Sequence, residues 1–188
     1  MIEVPLARIP EEPGAVIPHA GICEGGVRQL TFLPNRKKNT RSMAIIREFT
    51  DKEAAVLAQS WLEIFGVDRH GSKTNAYLWH VFSFAHFPAL EGDKAHSEYG
   101  RQASCEFTVL SNDRNVAYLV DERPADRPFS DFYIFPPNLA WTMAFTHEDG
   151  WLGPYFAQHS RYSELNLANI AKVKKMQEKE HAKAKGWL

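Results

Sequence analysis

Cysteine is nearly missing from this chain: Cys23 and Cys105 are the only two in 188 residues. Two are too few for a disulfide framework or a four-cysteine zinc site, and neither belongs to a C-x-x-C pair. Cys105 reads as a small apolar residue rather than a nucleophile. No apolar run approaches the ~20 residues of a membrane-spanning helix. The opening MIEVPLARIPEEPG has neither the basic start nor the apolar core of a signal peptide, so the cytoplasm is the expected compartment. The common cofactor and nucleophile motifs are missing too. There is no G-x-x-x-x-G-K-[ST] loop, no G-x-G-x-x-G turn, no H-E-x-x-H helix and no G-x-S-x-G elbow. No cofactor is expected.

Aromatic side chains, in contrast, make up 12% of the chain and hydrophobic residues 44%, enough apolar surface for a folded core. The net charge is −1, unevenly spread. Ser160–Leu188 holds seven basic and three acidic residues; the remainder holds fifteen basic and twenty acidic. A modest basic tail is more often a solvated helix face than a nucleic-acid arm. The balance weighs against nucleic acid as a partner.

Three regions are expected. Residues 1–42 read as an irregular arm, broken by Pro5, Pro10, Pro13, Pro18 and Pro34. Residues 43–162 read as the folded domain, and residues 163–188 as a C-terminal helix and tail. A helix should start at Thr50, where Thr50-Asp51-Lys52-Glu53 has the form of a capping box. Leu57, Trp61, Ile64 and Phe65 follow at helical spacing, with Gly66 as a C′ glycine. Five strands are expected: Ala76–Ala85, Cys105–Ser111, Asn115–Asp121, Asp131–Phe135 and Leu139–His147. Gly92–Gln102 reads as a short surface helix. The chain after Gly153 reads as helix, docking through Leu167, Ile170 and Val173. The fold class is α+β: one mostly antiparallel sheet of about five strands with helices packed on it. Its expected core is Trp79, Phe82, Phe107, Val109, Tyr118, Ile134, Trp141 and Phe145.

Of the eight histidines, His80, His86 and His96 lie six and ten residues apart. No local spacing presets a metal-ligand pair, and no metal site is expected. His80 and His147 fall on otherwise apolar strand faces. Glu148 and Tyr155 stand nearby in sequence, and these four are the candidate site residues. They can act together only if the two imidazoles come within the ~12 Å that a bridged hydrogen-bond network spans.

Ala76–Phe156 resembles a small bacterial family, the domain of unknown function 4275. The resemblance rests on Tyr77-Leu78-Trp79-His80-Val81-Phe82-Ser83, the charged segment Gly92–Gln102, Glu106-Phe107-Thr108-Val109-Leu110, Asp131–Phe135 and Trp141-Thr142. It closes on Thr146-His147-Glu148 and Gly153-Pro154-Tyr155-Phe156. It implies the fold and a bacterial origin, but carries no reaction.

Two functions compete. One is a non-catalytic protein-binding module, such as an immunity protein that neutralises a toxin; such a protein needs only a complementary surface, often acidic. The other is a small-molecule receptor or enzyme in which His80 and His147 converge with Glu148 or Tyr155. Whether the chain is an enzyme stays open at this level, as does its oligomeric state.

Overall fold

The computed structural model describes residues 43–187 apart from His70, Ala125, Asp126 and Asp149. The expected irregular arm, residues 1–42, lies outside the described residues. Seven strands form one antiparallel sheet: β1 (Ile45–Phe49), β2 (Leu90–Glu91), β3 (Phe107–Ser111), β4 (Ala117–Val120), β5 (Phe132–Phe135), β6 (Trp141–Phe145) and β7 (Tyr155–Gln158). Their spatial order is β1-β4-β3-β5-β6-β7-β2. Among the described residues four helices accompany them: α1 (Asp51–Phe65), α2 (His80–Ser83), α3 (Asp93–Arg101) and α4 (Tyr162–Ala184).

The fold is α+β as the pattern implies, with seven strands rather than about five. Four expected strands are present as β3, β4, β5 and β6. The fifth is not a strand. Ala76–Ala85 runs through turns into α2, burying Leu78, Trp79, Val81 and Phe82. That spacing is helical, and a short apolar run does not reveal its period from composition. The main chain also finds other partners: Leu78 N donates to Asn112 Oδ1 at 3.2 Å and Trp79 N to Tyr133 Oη at 3.1 Å. These bonds occupy amides that a ladder needs. The edge strand β2 is only two residues long, and β1 is exposed along nearly its whole length, so neither carries a buried-strand pattern in sequence. β7, read as the start of a helix, pairs with β6 instead, Ala157 opposite Thr142.

The sheet is covered on both faces. α1 begins with the expected capping box: Glu53 N donates to Thr50 Oγ1, and Thr50 N donates back to Glu53 Oε2 at 2.8 Å. It ends at Gly66, whose φ is −113°. The glycine is required there by crowding, since a Cβ would stand 2.8 Å from the Leu62 carbonyl. Ala54, Ala58, Trp61, Leu62 and Phe65 of α1 pack with α2 on Leu110, Tyr133, Ala144 and Tyr155. Trp61 Nε1 donates to buried Thr142 Oγ1 at 2.9 Å, which fixes the helix over β6. On the other face, Ala95 and Tyr99 of α3 pack with Phe107, Val109, Ile134, Trp141, Met143 and Phe156. Alternation along each strand sends successive side chains to opposite layers. Of the eight expected core residues, Tyr118 is half-buried and the other seven are buried.

α4 corrects its expected docking face. Of the three expected contacts, Leu167 and Ile170 are 67% and 48% exposed and Val173 is half-buried. The helix seats instead through Tyr162, Leu165 and Asn169. Asn169 Nδ2 donates to Asn138 Oδ1 at 3.2 Å, and Asn138 Nδ2 donates to the Leu165 carbonyl at 2.9 Å. A polar pair sets the rotation of this helix, which an apolar stripe does not show. From Lys174 onward it is exposed, with Ala182 alone partly covered.

Candidate functional site

The antiparallel register brings the C-terminal ends of β3 and β6 and the N-terminal ends of β5 and β7 to one end of the sheet. Ser111 lies opposite Phe132, Phe132 opposite Phe145, and Ala144 opposite Tyr155. The residues just beyond those ends, Asn112, Asp131 and His147, therefore meet under the 74–84 segment.

Asp131 is the centre of this end. Its side chain is 10% exposed. Trp79 Nε1 donates to Oδ1 at 2.9 Å, and His147 N donates to the same oxygen at 3.1 Å. His147 Nδ1 lies 2.9 Å from Oδ1 and 3.0 Å from Oδ2. A carboxylate only accepts, so the Nδ1 position carries the proton and Nε2 is the outward atom of the ring. The imidazole is 39% exposed, and its Nε2 stands 3.7 Å from Glu148 Oε1.

Behind this pair, Tyr133 is fully buried. Its hydroxyl donates to Asn112 Oδ1 at 2.9 Å and accepts from Trp79 N. Burial first, then the Asp131 charge, hold its pKa well above the ordinary tyrosine value. Asn112 also donates to the Ala76 carbonyl at 2.7 Å. The segment carrying His80 is thus tied to the sheet by side chains of β3 and β5.

The four expected site residues lie in one neighbourhood, where His147 pairs with Glu148 and the other two bond elsewhere. His80 sits at the start of α2, and its Nδ1 lies 3.1 Å from the Lys73 carbonyl. The Tyr77 ring lies 5.4 Å from the His80 ring and 4.9 Å from that of His147. The imidazoles are therefore within the ~12 Å a bridged network spans, but no hydrogen bond joins them among the described residues. Glu148 reaches His147 because the chain turns there, with Trp151 N donating to the Glu148 carbonyl at 2.9 Å. Tyr155 lies on β7 rather than a helix, buried and stacked 6.3 Å from Trp79. Burial and its hydrogen bond to Glu91 hold its hydroxyl above the usual tyrosine range. It faces Glu91, not the imidazoles.

Asp131, Asn112 and Tyr133 escaped sequence reasoning as site residues. Asp131 leads its strand, a visible mark, but its partner lies 16 residues away, across a loop. Among the described residues, no group of three or more His, Cys, Asp or Glu side chains is placed to hold a metal ion.

The rim of this end is a loop held at Thr146 and at Gly153. Thr146 Oγ1 donates to the Leu152 carbonyl at 2.5 Å and Gly153 N donates to Glu91 Oε1 at 2.9 Å. Gly153 adopts φ 86°, where a Cβ would stand 2.9 Å from Thr146 Cγ2. The loop presents Trp151, 85% exposed, and α2 is followed by exposed Phe84.

The model of the family described as domain of unknown function DUF4275 matches residues 44–156, and the chain belongs to that family. The match takes in β1 through the start of β7, and with them Asp131, His147 and the Trp151 loop. No curated protein and no solved structure matches the chain.

Proposed function

We propose that this chain is a non-catalytic protein-binding module of a bacterial cytoplasm, an immunity protein that neutralises a toxin being one such module. The observation that carries the reading is Trp151. An indole left 85% exposed on a loop tied down by Thr146, Glu148 and Glu91 is a preorganised anchor, and tryptophan is the side chain most often found at interface hot spots. Phe84 adds apolar area, and Glu148 and Glu91 set an acidic rim that suits a basic partner. Co-expression with the genes beside this one, followed by affinity capture, tests it. A stoichiometric partner held by the wild type and released by Trp151→Ala, with Tm unchanged, is the expected result. A partner retained by Trp151→Ala refutes the assignment to this surface.

A second reading has its own observation, the Asp131–His147 pair. An imidazole oriented through Nδ1 by a nearly buried carboxylate, with Nε2 outward, is the arrangement of a general base. In this reading the chain is an enzyme or small-molecule receptor working through His147, His80 and Glu148. His147→Gln separates the two: loss of a ligand or activity at unchanged Tm favours chemistry, and loss of stability alone favours a structural role.

A further inference from the structure

The sheet has an unfinished edge on the side away from β1. β7 runs to Gln158, but β2 covers it only through Leu90 opposite Phe156 and Glu91 opposite Tyr155. The hydrogen bonds on each side give the direction of every amide. His159 N donates to the Ala140 carbonyl at 2.9 Å, toward β6, whereas Gly92 N donates to the Pro154 carbonyl at 3.0 Å, toward β2. Main-chain groups of a strand alternate between its two edges. Tyr155, Ala157 and His159 therefore bond β6, and Pro154, Phe156 and Gln158 point outward. The β2 register sets Pro88 opposite Gln158. Proline has no N–H to give to the Gln158 carbonyl, and no bond joins Pro88 and Gln158 among the described residues.

A cleft of about 520 Å³ opens between these residues. Pro88, Leu90 and Phe156 supply its apolar wall, and Glu98, Gln158 and His159 its polar groups. The Glu98 carboxylate is fixed by Arg101 at 2.6 Å and Gln102 at 2.8 Å. His159 Nδ1 accepts from Arg161 N at 2.8 Å, which leaves the ring proton on Nε2 as a donor.

We propose that this edge receives an extended peptide segment of a protein partner, which continues the line of β2 by pairing with the main chain of Gln158. The N–H and C=O of Gln158, which bond nothing among the described residues, supply the strand pairing, Pro88 and Leu90 take an apolar side chain, and His159 Nε2–H donates to a peptide carbonyl. Strand addition at an open edge draws its affinity from main-chain bonds. A small apolar molecule would leave the Gln158 amide unpaired, and that is why a peptide fits the cleft better. The surface is separate from Trp151 and stands whether or not Trp151 is an anchor.

The probe is a blocked tetrapeptide of alternating threonine and valine, titrated to millimolar concentration and followed by amide shifts and hydrogen exchange. In the free protein the Gln158 amide should exchange much faster than that of Ala157, which bonds β6. The peptide should shift and protect Gln158 and shift Leu90. Gln158→Ala keeps the main chain and should bind within about twofold of wild type, whereas Gln158→Pro should lose about tenfold, the worth of one or two hydrogen bonds. A peptide N-methylated along its pairing edge should lose as much on the unaltered protein, and decides the matter if Gln158→Pro lowers the Tm. A slowly exchanging Gln158 amide, no shift at millimolar peptide, equal losses in the alanine and proline variants, or full binding of the N-methylated peptide would each overturn the proposal.

Discussion

Replacing Asp131 by alanine should destabilise the protein by about 3 kcal/mol, and the sum can be followed donor by donor. The Trp79 indole N–H belongs to a side chain 2% exposed, so water cannot replace the lost acceptor. A buried donor left unsatisfied costs about 1–3 kcal/mol, toward the upper end when the lost acceptor was charged. The His147 amide and Nδ1–H belong to a residue 39% exposed, so water takes over, and about 1 kcal/mol covers both. With roughly 3 °C per kcal/mol for a domain of this size, the Tm should fall by about 9 °C. Asp131→Asn keeps one carbonyl oxygen for the indole but presents an NH2 to His147, which must shift its ring proton to Nε2; about 1 kcal/mol is expected. Urea unfolding followed by tryptophan fluorescence gives both values, and an unchanged m-value certifies that the folded and unfolded states are still the same. An alanine variant within 1 kcal/mol of wild type would mean that Asp131 does not organise this end of the sheet.

Two further results are expected. Burial, then Arg161, hold His159 below the usual histidine value of 6.5; a depressed value means that the unfolded chain takes up its proton first. The stability of the neutral ring is therefore fully present above pH 6.5 and drains away below it. His159→Gln should remove part of the acid-side decline in Tm, and an identical pH profile would contradict the assignment. Deleting residues 178–188 should cost less than ~1 kcal/mol, because the described residues there bury almost no apolar area; a large fall in Tm would make Trp187 an anchor.

Local signals were legible in sequence where the physics is local. The capping box at Thr50, the Trp61 stripe, the β3–β4 hairpin and the alternation through β6 depend on residues within a few positions of one another, and each is present. The family resemblance also lay in linear motifs, and the family match covers them. Strand count, helix rotation and the site depended on distant partners. Ala76–Ala85 has strand composition but gives the amides of Leu78 and Trp79 to Asn112 and Tyr133, more than 30 residues away. β2 is only two residues long and β7 runs on toward the helical pattern of α4, and each exists because it meets a strand edge that satisfies its backbone. α4 turns toward Asn138 rather than offering Leu167 and Ile170 to the sheet. His147 was visible as a candidate, yet its tautomer and orientation come from Asp131 across a loop, and only the antiparallel register of β5 and β6 places that carboxylate beside the ring.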